Sequence, residues 1–141
     1  MEVVYVDLEA SGLGAESYPI EVAWKCPETG RSDNFFINPD SVSGWRYWDE
    51  FAEELHGIDR EQLVREGLSV EDACERLNTA LDGVTLISDA PEFDSFWVRR
   101  LFAASGMRCH FKMAGLDAVL SAEQLIQYRF IARSQFRRHR A

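Results

Sequence analysis

The chain has no apolar run near the roughly 18 residues needed to cross a bilayer. Its N-terminus also lacks the basic stretch followed by an apolar one that marks an export signal. Those absences point to a soluble, cytoplasmic protein. Cysteine is scarce: Cys26, Cys74 and Cys109 are scattered, odd in number and without zinc-ligand spacing. That excludes a disulfide framework and suits reduced, mostly buried thiols. No internal repeat, low-complexity tract or linker interrupts the chain, and no G-x-x-x-x-G-K-[ST] phosphate loop occurs. What remains is material for one packed domain. Its 141 residues are 46% hydrophobic and 12% aromatic, enough for a single core and too apolar for disorder.

Positive charge is also in short supply. The net charge of −9 disfavours a long duplex track, because binding to nucleic-acid phosphates is largely electrostatic. Its distribution is uneven, however. Five of the 15 lysines and arginines (Arg129, Arg133, Arg137, Arg138 and Arg140) follow Gln127, where no acid occurs. An acidic body with one basic segment suits a short, locally held phosphate chain. It suits a solvated helix end, favoured by the helix dipole, equally well.

Residues 3–9 (VVYVDLE) read as a strand, rich in β-branched and aromatic side chains, with Ser11-Gly12-Leu13-Gly14 as the turn after it. Residues 19–26 alternate as a second strand and 32–38 make a third, with 28–31 as the hairpin turn between them. Short connections of this kind build an antiparallel meander. Residues 45–56 allow one or two helical turns, with Trp48, Phe51 and Leu55 at helical spacing, and Trp45 and Trp48 as packing residues. Asp59 is placed to cap a helix over 60–66, and Ser69 one running through Leu81. The apolar run 84–88 (VTLIS) predicts a buried strand parallel to a neighbour, passing into a helix that ends near Ser105. Residues 108–113 predict a last short strand, and Ser121 starts a helical stretch with Leu125, Tyr128, Ile131 and Ala132 on one face. Antiparallel strands followed by helices and a parallel strand make a mixed α/β sheet flanked by helices.

Side chains alternate along a strand, so Asp7 and Glu9 project from the same face with Cα atoms roughly 6.5 Å apart. Paired acids at a strand end repel, and a divalent cation converts that cost into binding. Mg²⁺ typically takes one or two carboxylates together with substrate phosphates. A lone D-x-E is more often a strand end dipping into solvent; its downstream companions decide otherwise. Asp94 stands at the start of the helix that follows the parallel strand, and His139 lies in the arginine-rich segment.

Together these stations resemble the DEDD superfamily of 3′–5′ exonucleases, in its histidine-bearing DEDDh branch. This DnaQ-like group includes proofreading subunits, RNase T and oligoribonuclease. Residues 4–13 (VYVDLEASGL) are similar to the first exonuclease motif, and 20–23 (IEVA) to the strand after it. Residues 55–58 (LHGI) resemble the HGI turn of these enzymes, and Phe93-Asp94 the second motif. Arg138-His139-Arg140-Ala141 resembles the opening of the third. One departure is that Asp89-Ala90 stands where many members carry His-Asn, adding a carboxylate near the site. Another is that the family's last aspartate would fall five residues after His139, past Ala141. The expectation is a single exonuclease domain over 1–141, truncated just before its last catalytic aspartate. Nothing in the positions of Asp89 or Asp117 argues for either as a replacement.

The resemblance implies an RNase H-like fold and a metal-dependent 3′–5′ exonuclease that releases nucleoside 5′-monophosphates from single-stranded RNA or DNA ends. The loss of the last aspartate would impair it. Two divalent cations, Mg²⁺ or Mn²⁺, would be held by Asp7, Glu9 and Asp94, with His139 as general base. The backbone of Ala10, Ser11, Gly12 and Leu13, together with His56, would hold the 3′-terminal nucleotide. The reading leans to RNA over DNA and leaves oligomeric state open, a homodimer included. The alternative is a non-catalytic module that keeps the fold for nucleic-acid binding or protein docking.

Overall fold

The computed structural model describes residues 2–128; His139 and the five arginines of the basic segment lie outside them. A five-stranded sheet forms the centre, in the order β3-β2-β1-β4-β5. Its strands are β1 (Val4–Ala10), β2 (Pro19–Lys25), β3 (Ser32–Phe36), β4 (Thr85–Ser88) and β5 (Lys112–Gly115). The first three pair antiparallel, whereas β4 runs parallel to both β1 and β5. The expected mixed sheet is therefore present, with the first strand in its middle.

Alternation in β1 buries Val4, Val6, Leu8 and Ala10 and turns Tyr5, Asp7 and Glu9 the other way. In β2 the same rule buries Ile20, Val22 and Trp24. Two longer helices cover the buried side. Helix α3 (Val70–Leu81) starts where Ser69 accepts the Asp72 amide at 3.1 Å, and it buries Val70, Ala73, Cys74, Leu77 and Leu81. Helix α4 (Pro91–Ser105) opens on a proline, where the missing N–H costs nothing. It lies against α3 and against β1, β2, β4 and β5. Between β3 and α3 in the chain come two helices of about two turns each, α1 (Glu50–His56) and α2 (Arg60–Glu66), capped by Asp49 and Asp59.

Two local readings change. The helix expected from Trp45 begins only at Glu50, because Trp45 stacks on Tyr18 with ring centroids 5.0 Å apart. Phe51 and Leu55, at helical spacing with Trp48, are 72% and 80% exposed. The last strand is Lys112–Gly115 and not 108–113. Asn78 explains the shift: its side chain donates to the Arg108 carbonyl at 2.8 Å and accepts the His110 amide at 2.9 Å. A side chain thus takes the backbone groups that a strand would have offered.

Candidate functional site

The parallel pairing of β1 and β4 builds the site. Val4 is level with Leu86 and Tyr5 with Ile87. Carried two residues further, that register brings Asp7 beside Asp89. Asp94, in the first turn of α4, reaches the same point, within reach of the Leu8 backbone amide. Carboxylate oxygens of Asp7, Asp89 and Asp94 all lie within 4.8 Å of one another. Two of these three were singled out in the sequence as metal-site candidates; Asp89 was not. The hint for it was already there, a carboxylate at the end of an apolar strand destined to lie beside the D-x-E strand.

Glu9 sits one turn of the pleat further along. It is the rung partner of Glu21 on β2, so two glutamates face each other across the strand pair. Burial is the main cause that lifts Glu9, up to about 7, with Asp7, Glu21 and Asp94 adding repulsion. Burial likewise pushes Asp94 up to about 6, with Asp7 and Asp89 adding repulsion and a hydrogen bond from Ser88 opposing it. Asp7 and Glu21 are raised for the same reasons, burial first. Among the described residues no lysine or arginine forms a salt bridge with any of these acids. The cluster holds protons that an isolated carboxylate would release, which is the signature of a site with more negative charge than it can support alone.

Beside Asp7 opens a groove of about 380 Å³ along the uncovered sheet face, bordered by Tyr5, Ala23, Lys25 and Asn34. On the other side of the strand end, Ser11 locks the loop in place. Its amide donates to the Tyr18 carbonyl at 3.0 Å, its hydroxyl accepts the Tyr18 amide at 3.1 Å, and its carbonyl accepts the Asp49 amide at 2.9 Å. The loop packs closely at Gly12, where a Cβ would lie 2.7 Å from Cε1 of Tyr47 and 3.1 Å from Cβ of Asp49, so a larger residue would displace the Tyr47 ring. Ala10, Ser11 and Gly12 are buried, and Leu13 is 70% exposed. Of the expected nucleotide-holding backbone, Ser11 has both its groups engaged inside the protein.

His56 ends α1, where Gly57 takes a left-handed φ of 72°. Its Nδ1 accepts the Ile58 amide at 3.0 Å, and its ring meets Trp48 edge-on at 5.9 Å. Nε2 is buried and has no partner among the described residues. Burial lowers the pKa of this imidazole, partly offset by Glu53. The His-Gly-Ile turn is thus a helix stop in which the histidine caps its own turn. The expected base, His139, lies outside the described residues.

No family model matches the sequence, and no curated protein matches it. The fold does have relatives among solved structures. Exonuclease I in its apo form superposes with a TM-score of 0.67 at 14% identity, covering 82% of this chain and 29% of that one. Escherichia coli exonuclease I in complex with a dA16 oligonucleotide gives 0.67 at 14%, covering 82% and 28%. A moderately thermophilic exonuclease I from Methylocaldum szegediense gives 0.66 at 16%, covering 82% and 27%. The chain therefore spans less than a third of these proteins. What is shared is the fold, an RNase H-like mixed sheet flanked by helices, as in exonuclease I.

Proposed function

We propose that this chain carries a divalent-metal-dependent 3′–5′ exonuclease site for single-stranded nucleic acid. The observation that carries the reading is the meeting of Asp7 and Asp94, from distant parts of the chain, at one end of a sheet of exonuclease I type. The donor set fits hard divalent cations such as Mg²⁺ or Mn²⁺, which prefer carboxylate oxygens. Asp7, Glu9 and Asp94 would hold the ions, whose charge would offset the burial and mutual repulsion that raise Glu9 and Asp94. When bound, such ions supply an activated water and stabilise the departing oxygen.

The remaining work falls to the chain. His139, by resemblance, takes the proton of the attacking water; an imidazole with a pKa near 6.5 is suited to that at neutral pH. The backbone beyond Glu9 and the turn at His56 border the terminal nucleotide, with Leu13 free to contact a base. Trimming one end needs few phosphate contacts, which agrees with an acidic body. The E. coli exonuclease I relatives are described with DNA oligonucleotides. RNA and DNA ends are both candidates for this chain.

The test is a gel assay with 5′-labelled single-stranded RNA and DNA, Mn²⁺, and Asp7→Ala alongside. The expected result is a ladder that shortens from the 3′ end and disappears in the variant. Internal cuts, or cleavage that survives Asp7→Ala, would overturn the reading. Binding without cleavage would favour the non-catalytic module.

A further inference from the structure

We infer that Asp89 is itself a cation ligand, sharing a divalent ion with Asp7 and Asp94. This rests on the metal-dependent reading above and names a ligand that reading does not include. Three observations carry it.

The first is reach. An octahedral ion with bonds of about 2.1 Å sets its ligand atoms roughly 3 to 4 Å apart. Oxygens of Asp7, Asp89 and Asp94 already lie within 4.8 Å of one another, so small side-chain rotations bring all three onto one ion. The second is placement by the fold. Asp89 follows β4 in the bend before α4, two residues past the last rung Tyr5–Ile87, just as Asp7 lies two residues past Tyr5. The third is that Asp89 has little structural work of its own. An acid just before a helix commonly caps it, yet α4 has Ala90 at its N-cap with no side-chain cap, and the Ala90 amide goes to Ser88 at 3.0 Å. Its recorded partner is a neutral donor, the Tyr128 hydroxyl at 3.2 Å from Oδ2. Such a bond orients a carboxylate without neutralising it. Meanwhile Asp94, 2% exposed, is fixed by Ser88 at 2.6 Å and points into the same space. An exposed, oriented carboxylate with no basic partner among the described residues, beside a buried one, is arranged for a third party that carries positive charge.

The experiment is a calorimetric Mn²⁺ titration of the full 141-residue chain, with Asp89→Asn, Asp7→Asn and Asp82→Asn. Asp82 is an exposed acid at the opposite end of β4. Asp89→Asn should weaken Mn²⁺ binding about tenfold or more. Asp7→Asn should weaken it at least as much, and Asp82→Asn should leave it unchanged. Thermal melts in EDTA accompany the titration. Asp89→Asn should melt at or above the wild-type temperature, since it removes repulsion, and it should gain less from Mn²⁺. Wild-type affinity in Asp89→Asn beside a loss in Asp7→Asn would overturn the role of Asp89 and leave the nuclease reading standing. No Mn²⁺ binding by the wild type would overturn both.

Discussion

The Ser88 hydroxyl donates to Asp94 at 2.6 Å, and the same oxygen accepts the Ala90 amide at 3.0 Å. Both side chains are almost wholly buried, so this one serine ties the end of β4 to the first turn of α4. Ser88→Ala should cost about 1 to 3 kcal/mol, the range for a buried bond to a charged group. It should also push the Asp94 carboxyl higher still, so Mn²⁺ binding should require a higher pH. Urea unfolding and Mn²⁺ titrations at several pH values would check the two effects separately.

Stability of the metal-free protein should fall as pH rises. Glu9 is raised to about 7 and Asp94 to about 6, against unfolded values of about 4. Between roughly pH 4 and pH 7 the folded state therefore binds more protons than the unfolded one, and the linkage slope is negative. These two groups favour the fold most below that window and least above it. Melts in EDTA across pH 4–8 should display the decline, and saturating Mn²⁺ should flatten it. Apparent Mn²⁺ affinity should climb to about pH 7 and then level off, because protons compete for the same oxygens.

His139→Ala should remove the rise in cleavage rate through roughly pH 6–8 while leaving Mn²⁺ affinity intact. Rate profiles paired with metal titrations distinguish a base from a ligand. An equal loss of metal binding would make His139 a ligand.

Gly67→Ala should destabilise the fold by about 3 kcal/mol, at the upper end for overpacking a closed site. A Cβ there would run into the backbone of Asn38 and Leu63, neither of which can swing aside. The φ of −80° is ordinary, so the cost is one of space alone. The midpoint of urea unfolding should fall with little change in slope.

Local chemistry wrote much of this fold plainly. Asp59 and Ser69 cap the helices expected from them, and the D-x-E strand exposes its acids by simple alternation. Asp94 was legible because an apolar run and a proline announce a strand passing into a helix. Asp89 was legible only as an extra carboxylate near the site, because its meeting with Asp7 depends on a register set between residues more than 80 positions apart. Phe51 and Leu55 misled for a related reason: helical spacing marks a shared face, and what covers that face is decided elsewhere in the chain. The shift of β5 belongs to the same class, since a single distant amide, Asn78, overrode a plausible strand.

A first strand placed in the middle of its sheet has a consequence for synthesis. During translation β1 can close its antiparallel side with β2 and β3 almost at once, while its other edge stays unpaired until β4 emerges. The nascent chain thus carries Asp7 and Glu9 well before Asp89 and Asp94 are made. Any capacity to capture a cation through Asp7, Asp89 and Asp94 together arises late, with the parallel edge.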